Sequence, residues 1–206
     1  MNTAFIVGAG GFCRAGLRPG PGDMVIAADG GYRALARAGI RPDLILGDMD
    51  SLARQPRGIP LLRFPRRKNL TDMALAIGLA KSRGYTRFKL YGALGGRLDH
   101  AVANLQLLSR LAQEGLRGVM IDRDVVIHAL CAEQLSLPPL REGRRVSVLC
   151  WGDPATGVTL RGLSYPLQDA TLNAFEPLGV SNAATGRPIH ISTRTGVVLV
   201  FLQNSP

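Results

Sequence analysis

Asp48 and Asp50 stand one residue apart, just past the apolar run Leu44-Ile45-Leu46 and Gly47. Two carboxylates this close raise each other's pKa and cost free energy unless water solvates both or a cation holds them. Three more acids occupy comparable places. Asp29 follows MVIAA and precedes Gly30-Gly31, Asp72 follows Lys68 and opens an apolar helical pattern, and Asp99 lies in YGALGGRLDH. Taken singly, Asp72 and Asp99 read equally well as helix caps. Five acids gathered at one edge of a sheet are more than capping requires. Hard divalent cations choose oxygen ligands, and Mg²⁺ is usually held by a few carboxylates together with substrate phosphates. The expected chemistry is therefore metal-assisted work on a phosphate-bearing ligand. The DxD spacing by itself also occurs in nucleotide-sugar transferases, in some phosphatases and by chance.

Glycines accompany the acids. Gly8-Ala9-Gly10-Gly11 follows the first apolar run, where a dinucleotide fingerprint would sit, but Cys13 takes the place of its third glycine. Such a turn either brings backbone N–H groups to a phosphate or is simply tight. Gly95-Gly96-Arg97 offers the same two readings, with a guanidinium added. No GxxxxGK[ST] is present. His100, His128 and His190 are dispersed and form no nucleophilic triad by spacing. His100 is a candidate site residue because it follows Asp99, whereas His128 alternates within VVIHAL and reads as structural. Trp151 and Tyr165 are candidates to cover a flat ring, with a place in the core as the plainer expectation.

The elements that must position these residues follow from the patterning. TAFIVGAG (3–10), MVIAADGG (24–31), DLILGD (43–48) and RFKLYGAL (87–94) each read as a buried strand running into a turn. Between them lie helical segments at 31–39, 70–84 and 99–115. The second starts at a capping Thr71 or Asp72 and places Met73, Ala76, Ile77 and Ala80 on one face; the third starts at Asp99. This alternation predicts an α/β fold with a mostly parallel, Rossmann-like N-terminal sheet and flanking helices. Ligands of such sheets bind beyond the carboxyl ends of the strands, where all five acids fall. After about residue 120 the segments become short, β-rich and punctuated by Gly, Pro and Asn, which predicts a smaller all-β sandwich or partial barrel. The expected domains are 1–122 and 123–206.

Composition excludes several classes. The chain has 206 residues, 46% of them hydrophobic, and no apolar run approaches a membrane span of about 20 residues. The N-terminus lacks a secretory pattern, and Cys13, Cys131 and Cys150 are far apart and odd in number. These features lead us to expect a cytoplasmic protein with neither a disulfide framework nor a zinc site. The net charge is +10, from 25 basic residues of which only Lys68, Lys81 and Lys89 are lysine and the other 22 arginine. The arginines are scattered and not interleaved with aromatics, which argues against nucleic acid as a partner.

Taken together, AADGG (27–31), PDLILGDMDS (42–51), KNLTDMALA (68–76) and GGRLDHAVANLQLL (95–108) resemble the thiamine pyrophosphokinase family in content, order and spacing. GLSYPL (162–167) and GVSN (179–182) continue the resemblance into the β-rich part. The resemblance implies a nucleotide-binding α/β domain, a thiamine-binding β-sandwich and a homodimer. The implied reaction transfers the diphosphoryl group of ATP to the thiamine hydroxyl and releases AMP. It implies that Asp48, Asp50, Asp72 and Asp99 hold Mg²⁺ and the phosphates and are the catalytic acids. Asp29, Gly30, Gly31, Lys68 and Arg97 would line the nucleotide side, and Ser181 and Asn182 would contact thiamine. Two positions depart from the family pattern: Asn69 stands where many members carry Asp, and Ala183 where many carry Glu. The alternatives are another metal-dependent diphosphotransferase, a nucleotide-sugar transferase, or a non-catalytic protein that binds thiamine or nucleic acid.

Overall fold

The computed structural model describes residues 2–48, 56–65 and 69–204. The fold is sheet-dominated α/β, with three helices among the described residues. The chain forms two compact units, residues 1–107 with 120–123 and residues 108–119 with 124–206.

The first unit is built on β1 (Thr3–Val7), β2 (Met24–Ala28), α1 (Gly31–Arg37), β3 (Leu44–Gly47), β4 (Leu61–Arg63), α2 (Asp72–Ser82) and β5 (Arg87–Tyr91). Its strand order is β4-β3-β2-β1-β5, and the neighbouring pairs are parallel. Every residue of β2 and β3 is buried. Burial on both faces is what short continuous apolar strands produce in a parallel sheet. Phe5, Val25 and Ile45 pack with Leu35 of α1 on one face. On the other face α2 turns in Met73, Ala76, Ile77 and Ala80, the four residues expected from their helical spacing.

Thr71 caps α2: its Oγ1 accepts from the N–H of Ala74 at 3.2 Å, and Asp72 is the first helical residue. α3 (Leu98–Gln113) begins one residue before the expected start at Asp99, and the carbonyl of Arg97 accepts from Ala101. β4 was not anticipated. Its three residues lie between Pro60 and Phe64-Pro65, too short to show a period, and only the register against Ile45–Gly47 makes them a strand.

β6 (Arg117–Ile121) leads from α3 toward the second unit, which holds β7 (Val125–Cys131), β8 (Gln134–Leu137), β9 (Arg145–Arg161), β10 (Leu167–Leu172), β11 (Asn182–Ala183), β12 (Ile189–Ser192) and β13 (Thr195–Gln203). Its order is β7-β13-β9-β12-β8, with β10 and β11 also on β9, and all these pairs are antiparallel. The segments RRVSVLCW and GVTLRGL are one 17-residue strand, β9. Opposite Thr195–Val197 the register jumps from Thr156 to Trp151, so Gly152-Asp153-Pro154 forms a bulge within the strand. No described helix is long and apolar enough to cross a membrane.

Candidate active site

Because β1, β2, β3 and β5 are parallel, their carboxyl ends share one edge. The turns there are Gly8–Gly11, Asp29-Gly30, Asp48 and Gly92–Gly96. The first and last of these turns are stitched together. The N–H groups of Gly8, Gly10 and Gly11 donate to the carbonyls of Tyr91, Gly92 and Leu94 at 2.8, 2.9 and 3.0 Å. Those three donors are therefore spent within the protein, and the tight-turn reading of Gly8–Gly11 holds for them. The same closeness explains the residue type: a Cβ on Gly10 would lie 2.2 Å from the Leu94 carbonyl oxygen. Gly92 adds a left-handed φ of 57°. Gly31 is likewise a packing glycine, since its Cβ would fall 1.8 Å from the Val7 oxygen.

Asp29 is the outlier of this edge. Its φ is 48°, in the left-handed region that few residues other than glycine and Asn or Asp occupy. Its Oδ1 is buried and has no hydrogen-bond partner. A left-handed backbone and an unpaired buried oxygen each cost free energy, on the order of 1–3 kcal/mol. Both costs fall on one residue. Its N–H donates to the Leu46 carbonyl at 2.8 Å, which seats it beside the end of β3, where Gly47 precedes Asp48.

Asp29 and Gly30 line a cavity of about 670 Å³ whose walls also include Gly10, Phe12, Arg33 and Arg37. The two arginines are one helical turn apart on α1. Sequence reasoning overlooked both because nothing in their spacing distinguishes them from surface cations. Phe12 is held by its neighbours. Its ring packs 6.3 Å from that of Tyr91, whose hydroxyl donates to the Ala15 carbonyl at 3.1 Å. Burial pushes the Tyr91 phenol up, with the nearby Cys13 adding to it, so it remains a hydrogen-bond donor.

Arg97 and Asp99 are both exposed and face each other: Nε lies 3.1 Å from Oδ1, and the terminal nitrogen pairs with Oδ2. The Arg97 hydrogen bonds, and then the His100 N–H, hold the Asp99 carboxyl below its usual range. His100 is exposed. Asn104 was quoted in a motif without a role. It is buried, and its Nδ2 donates to the Ala93 carbonyl at 2.7 Å, fixing α3 to the turn after β5. Asp48 and Asp72 are half-buried. Asp50 and Lys68 lie outside the described residues. Among the described residues, no three His, Cys, Asp or Glu side chains form a ready-made metal cluster.

In the second unit, Ser181 has a φ of 59° and its N–H donates to Ser147 Oγ at 3.0 Å. Asn182 is only 2% exposed, and its amide is committed to the backbone of Tyr165 and Ala183. Tyr165 is not a core residue: its side chain is 71% exposed, close in sequence to the bare apolar residues of the β10–β11 connection. His128 is largely shielded on β7, opposite Val200, and burial lowers its pKa.

Two family models match the chain: thiamin pyrophosphokinase, catalytic domain, over residues 21–120, and thiamin pyrophosphokinase, vitamin B1 binding domain, over residues 133–198. Thiamine pyrophosphokinase of Bacillus subtilis is 28% identical over 163 residues, 76% of either chain. Thiamine pyrophosphokinase 1 of rice (Oryza sativa subsp. japonica) is 24% identical over 77% of this chain and 65% of its own length. The crystal structure of the Bacillus subtilis enzyme superposes with a TM-score of 0.88 at 23% identity, covering 99% of this chain and 100% of that one. The enzyme from Candida albicans gives 0.79 at 15% identity, over 98% and 89%. With one family matched across both units and its fold reproduced along the whole chain, this protein belongs to the thiamine pyrophosphokinases, ATP-dependent diphosphotransferases.

Proposed function

We propose that the chain transfers the diphosphoryl group of Mg²⁺-bound ATP to the hydroxyl of thiamine, as a cytoplasmic homodimer. Residues 1–122 act as a Rossmann-like nucleotide-binding domain and 123–206 as a thiamine-binding sandwich. The observation that carries the reading is Asp29. A carboxylate oxygen left buried and unpaired, on a strained backbone at the wall of a nucleotide-sized cavity, is arranged for a ligand and not for stability.

The donor types fit a hard cation. All are carboxylate oxygens, and the orphaned Asp29 Oδ1 adjoins the end of β3. Asp48, Asp50, Asp72 and Asp99 would hold Mg²⁺, with phosphate oxygens and water completing its shell. When bound, the ion supplies positive charge to the transferring phosphates. Arg33 and Arg37 line the cavity and offer guanidinium groups to the nucleotide, beside Gly30, Gly31 and Lys68. Arg97 neutralises Asp99 while no phosphate is present; with one bound, the guanidinium turns to it and releases the carboxylate. The thiamine oxygen attacks the β-phosphorus, the bond to the α-phosphate bridge breaks, and AMP leaves. The hydroxyl proton passes to Asp72 or Asp99. On the second unit, Ser181 and the exposed ring of Tyr165 face the acceptor, whose thiazolium is flat and positively charged.

The test is product analysis. Purified protein with ATP, thiamine and Mg²⁺ is expected to yield AMP and thiamine diphosphate in equal amounts. ADP with thiamine monophosphate would overturn diphosphoryl transfer. ATP consumption that does not depend on thiamine would overturn the acceptor.

A further inference from the structure

Asn182 sits in the motif through which the second unit meets its acceptor, yet its side chain is buried and fully occupied. Its Oδ1 accepts from the N–H groups of Tyr165 and Ala183, each at 2.9 Å, and its Nδ2 donates to the Tyr165 carbonyl at 2.7 Å. One amide thus takes both backbone groups of Tyr165, mimicking a strand partner across a gap of 17 residues. An Asn with those three bonds has little left to offer a ligand.

The surroundings reinforce the clasp. The Ser164 N–H donates to the Ala183 carbonyl at 2.8 Å, and Leu163 bridges Ala184. Asn182 and Ala183 are themselves paired with Val146 and Arg145 of β9. The whole arrangement therefore hangs on a central strand. What it supports is an aromatic side chain left 71% exposed. A rigid backbone under a bare ring is the arrangement that lowers the ordering cost of binding a flat ligand.

We infer that Asn182 is a positioning residue: it fixes the Tyr165 ring as a platform for the acceptor and does not itself touch the acceptor. This rests on the reading of the second unit as the thiamine-binding part. It separates two residues that the motif presents together. Ser181 is exposed and faces outward from a left-handed turn, whereas Asn182 acts from beneath.

A double-mutant cycle tests it, with the KM for thiamine and the KM for ATP measured on wild type, Asn182→Ala, Tyr165→Ala and the pair. Each single change is expected to raise the KM for thiamine roughly tenfold, about one lost hydrogen bond's worth, with the KM for ATP unmoved. The double variant is expected to be no worse than Tyr165→Ala. Penalties that multiply would mean that Asn182 contributes independently of the ring, and would overturn the inference. So would a folded Asn182→Ala with a wild-type KM. If that variant does not fold, Asn182→Asp serves: it keeps the acceptor for the two N–H groups, loses only the bond to the Tyr165 carbonyl, and is expected to fall between wild type and Tyr165→Ala. Amide hydrogen exchange is read on the same proteins and needs no turnover. The Tyr165 N–H is expected to be protected in wild type and to exchange quickly in Asn182→Ala. Equal exchange in both would remove the clasp even if thiamine is the acceptor. A protected amide in a protein that makes no thiamine diphosphate would overturn the acceptor reading instead.

Discussion

Replacing Gly31 by alanine tests the packing at the nucleotide edge. The new Cβ would sit 1.8 Å from the Val7 carbonyl oxygen, where ordinary contact begins at 3.4 Å, so about 1.6 Å must be found. Val7 cannot supply it, because it is held on both sides, by Ala27 of β2 and Tyr91 of β5. The start of α1 must move. Overpacking of this kind costs about 3 kcal/mol. With a urea slope of about 2 kcal/mol per molar, the midpoint should fall by roughly 1.5 M. Gly78 is the internal control. It lies within α2 with nothing within 4 Å of its would-be Cβ, so Gly78→Ala should gain about 0.8 kcal/mol of helix propensity and raise the midpoint by roughly 0.4 M. Far-UV circular dichroism follows the helices of the first unit, while the single tryptophan, Trp151, reports the second separately. Because α1 carries Arg33 and Arg37, kcat/KM of Gly31→Ala should also fall, on the order of a hundredfold. A Gly31→Ala midpoint within about 0.3 M of wild type would refute the close-approach argument.

Arg37→Ala should raise the KM for ATP roughly tenfold and leave that for thiamine alone; an unchanged ATP response would remove the cavity from the nucleotide site. Asp50→Asn should lower kcat by about a hundredfold or more with an unaltered dichroism spectrum, and full activity would end the metal-pair reading. His128 is held below the ordinary imidazole value of 6.5 by burial, so the unfolded chain binds the proton first. Stability is therefore complete above that value and declines as pH falls from it toward the lower folded value. His128→Gln should flatten this decline when urea midpoints are compared between about pH 7.5 and pH 5.5. Identical slopes in the two proteins would contradict the assignment.

The strands that carry the acids were legible because their apolar runs end in glycine or aspartate, and α2 was legible because Met73, Ala76, Ile77 and Ala80 keep a helical spacing. What escaped depends on partners distant in sequence. β4 exists only against β3. The continuity of β9 through Gly152-Asp153-Pro154 was hidden, since those residue types ordinarily end a strand and here form a bulge that β13 bridges. Gly8–Gly11 announced a turn, but whether its donors met a phosphate or a carbonyl depended on Gly92 and Leu94, more than eighty residues downstream. The same limit applied to the site. Asp29 was visible as an acid after a strand, while its missing partner was not. The residue type of Asn182 could not distinguish a ligand contact from a clasp on Tyr165.

The placement of β1 also bears on how the chain is made. Its residues pair on one side with Met24–Ala27 and on the other with Arg87–Tyr91. During synthesis the first partner emerges soon after β1 and the second only some eighty residues later. A nascent β1–β2–β3 ribbon must therefore wait with one side of Thr3–Val7 open, although four of those five residues are destined for the core. Parallel closure over such a distance is slow, and an open apolar edge is where chains adhere to one another. The interval before β5 arrives is thus the period in which a growing first unit most needs a chaperone, and mutations that delay β5 should lower soluble yield before they lower the stability of the finished protein.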